Sequence, residues 1–159
     1  MNKNDLSDLS ALHLAQVFEK TEGQNITKLK LDGNNFTTKA GEYIGGALSA
    51  NPSYKIKKIS FGEMSLESIG MVRIVEACNL NTNIRSLNIG ILTDEGLLRL
   101  AEILSENTSL EELEMEETKD HQKYWTSESR GAFTEMLRHC TVLKKVSIQF
   151  AREDQEADD

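Results

Sequence analysis

The sequence predicts an α/β solenoid, in which strands and helices alternate along a curved, right-handed arc. Three observations support this prediction. One apolar spacing occurs five times, helical stretches lie between its copies, and apolar residues make up 38% of the 159 residues. This apolar fraction is enough for one domain with a continuous core.

The repeated spacing has apolar residues at the first, fourth and sixth positions of a six-residue segment. Successive copies begin 30, 28, 26 and 33 residues apart. The last three positions alternate with period two, as a strand with one buried face requires. The five predicted strands are 26–31, 56–61, 84–89, 110–115 and 143–148.

Helical patterns fill the intervals between these strands. For example, Leu100, Ile103 and Leu104 are spaced so that they lie on one helical face. Two of the helical stretches end at Asn81 and Asn107, each three residues before the next strand segment. Asparagine tolerates the left-handed conformation, so we expect both residues to provide left-handed helix exits and turns.

The predicted domain covers residues 1–150 and needs a cap at each end. A helix at about 5–21 is expected to cover the first strand with Leu9, Leu12, Leu14, Val17 and Phe18. The segment 151–159 is too polar to cover the last strand. We predict that it is an acidic, disordered tail whose charge discourages edge-to-edge association.

A strand–helix unit of this length cannot bury its apolar face alone, so successive units must stack. Helices are wider than strands, and the stack therefore curves, with a parallel sheet on its concave face and helices on its convex face. The spacing and the strand–helix alternation are typical of leucine-rich repeats. The unit length resembles that of the ribonuclease-inhibitor-like class.

Within that class, the chain resembles the leucine-rich repeat domain of tropomodulins and leiomodins. The resemblance is carried by the segments 84–89 and 100–110, and by Met136, Leu137, Leu143 and Phe150 near the end. The long connection 116–126 also has a counterpart there. The resemblance covers about residues 26–150 and implies actin as the partner.

Charge and cysteine content exclude several function classes. The net charge is −8, and residues 102–159 carry 15 acidic and 7 basic side chains. Such a chain is unsuited to nonspecific nucleic-acid binding or to an anionic membrane. Without a secretory signal, the two cysteines are expected to be reduced and the protein cytoplasmic.

No sequence motif calls for catalysis, a cofactor or a metal ion. The three histidines are scattered, Cys78 aligns with core positions, and Cys140 aligns with a turn. The segment 32–35 lacks the ligand alternation of a calcium loop and predicts a turn. Gly41, Gly45 and Gly46 fall within a helix, where packing against a neighbour explains them better than phosphate binding.

The first candidate binding surface consists of residues that alternate with the buried strand positions. Its charge runs from basic through neutral to acidic, and its candidate residues are Lys28, Lys30, Lys58, Asn88, Glu112, Glu114 and Glu116. Two interpretations of the acidic strand stay open. It is either a solvated face partly neutralised by Lys144 and Lys145, or a site for a basic partner surface.

The second candidate is the long connection 117–126, which contains His121, Tyr124 and the single tryptophan, Trp125. Aromatic residues on exposed loops are typical of interaction hot spots. The alternative is that Trp125 folds down and caps the last repeat.

The sequence therefore predicts a monomeric, non-catalytic scaffold for protein–protein interaction. Resemblance to tropomodulin implies an actin-binding, cytoskeletal role. The alternative is a recognition or regulatory module with a non-actin protein partner, such as a pathogen effector or an NLR-like sensing fragment. A shared fold does not choose between them.

Overall fold

The computed structural model describes residues 4–20, 25–63, 66–117 and 125–149. Helices and strands alternate through this part of the chain. The helices are α1 (Asp8–Lys20), α2 (Thr38–Ala50), α3 (Glu67–Leu80), α4 (Asp94–Leu104) and α5 (Ser127–His139). The strands are β1 (Lys28–Lys30), β2 (Lys58–Ser60), β3 (Ser86–Leu92), β4 (Glu112–Glu117) and β5 (Lys145–Gln149).

The five strands form one parallel sheet in sequence order. Their pairing aligns one apolar residue from every repeat in a single row across the sheet: Leu29, Ile59, Leu87, Leu113 and Val146. Each helix packs against the next along the chain, and the apolar row lies between the helices and the sheet. The predicted α/β arc of strand–helix repeats is confirmed.

Threonine side chains begin three of the helices. Thr37, Thr93 and Thr126 are N-cap residues whose hydroxyl oxygens accept hydrogen bonds from backbone N–H groups in the first turn. Carboxylates of the preceding helices hold two of these caps. Asp8 accepts hydrogen bonds from the Thr37 N–H at 2.8 Å and hydroxyl at 2.6 Å, and Asp94 accepts one from the Thr126 N–H at 2.6 Å. The caps therefore link neighbouring repeats.

The asparagines after the helices lie at turns, as predicted, but the conformation of Asn81 differs from the predicted one. Asn81 has φ −97°, so the left-handed exit expected there is wrong. Its side chain instead accepts from the Asn83 N–H at 3.1 Å and donates to the Tyr54 carbonyl at 3.4 Å. The side-chain amide oxygen of Asn107 likewise accepts a hydrogen bond from the Leu110 N–H at 2.7 Å. Both asparagines satisfy buried backbone groups where the chain turns back towards the sheet.

Glycines let α2 and α3 approach closely. A Cβ atom at Gly41 would lie 2.5 Å from the Cα of Gly70, and one at Gly45 would lie 2.6 Å from the backbone of Arg73. The predicted packing role is confirmed for these two glycines. It is wrong for Gly46, which faces open space. Helix α2 thus has one glycine-lined side pressed against the backbone of α3.

Helix α1 packs on α2 and covers the first repeat, but not with all the expected residues. Ala11, Ala15 and Phe18 are buried, whereas Leu9 is 60% exposed and Val17 is 50% exposed. The prediction that Leu9 and Val17 cover the first repeat is wrong. The buried residues follow a spacing of three and four, and they include two alanines that permit a close helix–helix distance.

At the opposite end, β5 pairs with β4 and forms the last strand of the sheet. Ile148 on this strand is 36% exposed and Val146 is half-buried. The segment 151–159 lies outside the described residues, so the disordered tail and the domain limit at 150 stay predictions. None of the helices in the described ranges has the length and hydrophobicity needed to cross a bilayer.

Candidate functional site

The sheet has one face turned away from the helices, which we call the open face. Strand alternation places two rows of side chains on it. The first row comprises Lys28, Lys58, Ser86, Glu112 and Lys145. The second comprises Lys30, Ser60, Asn88, Glu114 and Ser147. This is the concave face of the predicted arc, and its two rows are fixed in register by the parallel pairing.

Three lysines form the basic end of the open face: Lys28, Lys30 and Lys58. Lys28 and Lys58 are direct partners across β1 and β2, so their Cα atoms lie about one strand spacing, roughly 4.8 Å, apart. Lys28 and Lys30 are exposed, and Lys58 is half-buried. None of the three makes an ion pair or side-chain hydrogen bond within the described part of the chain. Like charges placed side by side on strands are unfavourable, so this cluster costs stability.

The middle of the open face is uncharged and internally hydrogen-bonded. The Asn88 amide donates to the Glu114 carboxylate at 3.3 Å and accepts from the Gly90 N–H at 2.9 Å. Gly90 has φ 66° and lies where the register of β3 shifts against β4. Ser60 and Ser86 are almost fully buried, although they alternate with the core positions of their strands and were therefore expected to be exposed. This region separates the two charged ends.

The acidic end of the open face consists of Glu112, Glu114 and Glu116 on β4. Glu114 pairs with Lys145 at 3.6 Å, and Glu116 accepts a hydrogen bond from the Glu63 N–H at 3.4 Å. Glu112 has no such partner among the described residues. The acidic end is therefore partly satisfied within the chain, in contrast to the basic end.

Glu111, the residue before β4, is also paired with basic side chains of the chain. Lys144 lies 2.7 Å from Glu111, and Arg85 lies 3.9 Å from the same carboxylate on its other side. The hydrogen bond from Lys144 lowers the pKa of Glu111. Burial opposes this effect, and the charges of Lys144 and Arg85 add to it. Lys144 and Lys145 both pair with glutamates, as the interpretation of a partly neutralised strand predicts.

Glu117 differs from the other glutamates because it is buried, with 5% of its surface exposed. Its carboxylate accepts hydrogen bonds from the Trp125 N–H at 3.1 Å and from Arg130 at 3.0 Å. In the sequence, Glu117 is the last of several glutamates that surround Leu113 and Met115. The signal that could have identified it was the alternation of β4, which places Glu117 on the same face as Leu113 and Met115.

Trp125 is also buried, at 6% exposure, and its indole N–H donates to the Leu92 carbonyl at 2.9 Å. The interpretation of Trp125 as an exposed side chain is therefore wrong, and its burial agrees with the alternative that it folds down onto the core. His121 and Tyr124 lie outside the described residues, so their proposed role in binding stays a prediction. Glu117 and Trp125 join the two ends of that connection.

The cysteines and the other candidate residues for catalysis or metal binding do not form a site in the described part of the chain. Burial raises the pKa of Cys78 to about 12, so its thiol stays protonated at neutral pH and is a poor nucleophile. Cys140 is half-buried at the end of α5, and both cysteines are free thiols. Within the described ranges, no group of three or more His, Cys, Asp or Glu residues is placed to hold a metal ion.

Comparison with known proteins gives a structural match and no sequence match. No family model matches the chain, and no curated protein matches it. Among solved structures, the chain is similar to one described as "Leiomodin-1 Actin-Binding Site 2 (ABS2)". The TM-score is 0.69 and the identity is 18%, over 89% of this chain and 79% of that chain. At this identity the match establishes the fold alone, and assignment to the ribonuclease-inhibitor-like class stays a prediction.

Proposed function

We propose that this chain is a non-catalytic scaffold that binds another protein through the open face. One observation supports this most strongly: the three lysines of the basic end form no ion pair with a carboxylate among the described residues. The nearby Asp32 carboxylate instead accepts hydrogen bonds from Ser60 and from the Gly62 N–H. The proposed contact residues are Lys28, Lys30, Lys58, Asn88, Glu112, Glu114 and Glu116. Charged side chains of this kind increase the rate and the specificity of association.

The rigidity of the sheet supports the same proposal. Each strand of the sheet is hydrogen-bonded in register to its neighbours, so the backbone that carries the two rows is fixed before a partner arrives. Preorganisation reduces the entropy lost on binding. A moderate number of contacts on such a face is enough for specific recognition.

We propose actin as the partner on the basis of the structural match, because the matched structure is described as an actin-binding site. The test is co-sedimentation of the chain with filamentous actin, together with a pointed-end elongation assay. We expect binding at micromolar protein and a loss of binding in the Lys28→Glu/Lys58→Glu variant. The matched control is Lys39→Glu/Lys20→Glu, which makes the same change of net charge on the helices.

Absence of co-sedimentation would contradict the actin proposal. If the immobilised chain instead captures one dominant non-actin protein, and Lys28→Glu/Lys58→Glu abolishes that capture, the chain is a recognition or regulatory module. Capture that is equally strong in both double variants would show that the open face is not the binding surface. We place the scaffold in the cytoplasm, a proposal supported by its two free cysteines, and we propose that it is a monomer.

A further inference from the structure

The charge on the open face changes sign over a short distance. The basic end lies on β1 and β2, and the acidic end lies on β4, with only the uncharged Ser86 and Asn88 between them on β3. Parallel strands are about 4.8 Å apart, so Lys58 and Glu112 are separated by about two spacings, or roughly 10 Å. This distance is close to the Debye length of about 8 Å at physiological salt. A ligand lying across the sheet would therefore interact with both charges.

A ligand with uniform charge does not fit this arrangement. A polyanion held at Lys58 would continue over Glu112 and Glu114 and be repelled there. The overall charge of −8 adds a long-range repulsion against nucleic acid. A uniformly basic ligand would be attracted by the glutamates of β4 and repelled by the lysines of β1 and β2.

The two ends also differ in how much charge remains available to a ligand. At the acidic end, Glu114 already pairs with Lys145 at 3.6 Å and accepts from Asn88 at 3.3 Å. Glu112 is the member of that end with no partner in the described chain. At the basic end, all three lysines are unpaired in the same sense. The lysines should therefore supply most of the electrostatic attraction, and Glu112 should set the orientation.

We propose that the open face binds an extended peptide segment of its partner, with an acidic block over Lys28, Lys30 and Lys58 and a basic residue over Glu112. An extended chain advances about 3.3 Å per residue, so about three residues separate the two blocks. This inference rests on the proposed function and specifies the chemistry of the partner. It differs from the interpretation of the acidic strand as a site for a basic partner surface, because it assigns most of the attraction to the lysines.

The first test compares synthetic peptides of identical composition by fluorescence anisotropy at low and physiological salt. One peptide has three acidic residues, a Gly/Ser spacer of three residues and three basic residues. The other has the same residues with alternating charges. We expect the blocked peptide to bind about tenfold more tightly, which corresponds to about 1.4 kcal/mol. Equal affinities, or tighter binding of an all-acidic peptide or a single-stranded RNA, would overturn the proposal.

The second test changes the sign of single charges on the protein. Lys28→Glu should weaken binding of the blocked peptide at least tenfold, whereas Lys39→Glu on α2, with the same change of net charge, should have little effect. Glu112→Lys should weaken the blocked peptide and strengthen the all-acidic peptide. If Glu112→Lys leaves the all-acidic peptide unchanged, the charge boundary does not select the ligand.

These outcomes separate this proposal from the broader one. If the blocked peptide shows no preference but a protein partner is still lost on Lys28→Glu, the open face binds protein and the inferred segment is wrong. If neither peptide nor protein binding responds to Lys28→Glu, the proposed function itself fails. A circular dichroism spectrum and a thermal midpoint for each variant show that a loss of binding does not reflect unfolding.

Discussion

The two halves of the repeat array are held together in different ways. In the N-terminal half, the backbones of α2 and α3 meet directly at Gly41 and Gly45. The lysines of β1 and β2 form no ion pair with any residue in the described ranges. In the C-terminal half, charged side chains connect the repeats. Glu111 pairs with Lys144, and Glu114 pairs with Lys145. Close packing of two helices thus joins repeats in the N-terminal half, and ion pairs between neighbouring strands join repeats in the C-terminal half.

This contrast shows which charges are available for binding. On β1 and β2, the surface lysines form no ion pair among the described residues, so they can interact with a partner without breaking one. Where ion pairs join the repeats, the same side chains are engaged within the chain, and a ligand must compete with that pairing. Exposed ion pairs contribute little to stability individually. In the C-terminal half, the Glu117–Arg130 pair differs from the others because its carboxylate is buried, although the Arg130 side chain is exposed.

The largest effect is expected from the glycines of α2. Gly45→Ala should destabilise the fold by about 3 kcal/mol, because its Cβ would lie 2.6 Å from the Arg73 backbone and the helices must separate. Gly46→Ala should stabilise it by about 0.5–1 kcal/mol, because that site is open and alanine favours a helix. Urea denaturation of the two variants measures both changes. The same sign for both would show that backbone contact does not hold the N-terminal half.

The next effect concerns the buried glutamate of the C-terminal half. Glu117→Ala should cost about 2 kcal/mol, because the buried Trp125 N–H loses its acceptor. Glu112→Ala, at the other end of β4 and at a residue with no ion pair or side-chain hydrogen bond in the described ranges, should change stability by less than about 0.5 kcal/mol. Urea denaturation and tryptophan fluorescence report stability and the environment of Trp125. Similar losses in the two variants would contradict the distinction between buried and exposed glutamates on β4.

The link between α4 and α5 should depend on pH. Burial opposes ionisation of Asp94, but hydrogen bonds from Ser129 and from the Thr126 N–H and hydroxyl outweigh it and lower its pKa. A lowered folded pKa means that this stabilisation is complete above the usual carboxyl pKa of about 4 and is lost as the pH falls through the folded value.

Asp94→Asn should therefore lower stability at neutral pH by about 1 kcal/mol, and the difference from the parent protein should shrink below about pH 4. Thermal midpoints between neutral and acid pH measure this difference. A constant difference across the range would show that ionisation of Asp94 does not support the Thr126 cap. Glu95→Gln, at the next residue in the same helical turn, is the matched control.

The smallest effect is expected at the basic end. Lys28→Ser and Lys58→Ser should leave stability unchanged or raise it by up to about 0.5 kcal/mol, because they relieve repulsion between neighbouring lysines. Denaturation at low and high salt should show that the gain disappears when the charges are screened. A loss of more than about 1 kcal/mol in either variant would mean that these lysines support the fold and are not free for a partner.

The fold could be predicted from the sequence because each repeat has the same local pattern of apolar residues. Each observed strand overlaps one of the five predicted segments, and Cys78 lies in the core as its alignment indicated. Burial was predicted less well for residues that depart from the pattern of buried apolar and exposed polar side chains. Leu9 and Val17 are apolar but exposed, and Glu117 is acidic but buried. Composition and charge alone do not reveal such exceptions, because burial depends on which neighbour packs against the residue.

The sequence by itself determined the alternation of strands and helices, the face of each element that turns inward, and the unequal distribution of charge. These properties depend on the order of apolar and polar residues within a few positions of one another. The tertiary structure alone decided which charges pair and which stay free. Glu111 and Lys144 are 33 positions apart, and Asp94 and Thr126 are 32 apart. Only the stacking of complete repeats brings such residues within hydrogen-bond distance, so the division of the open face into paired and unpaired charges became visible only in three dimensions.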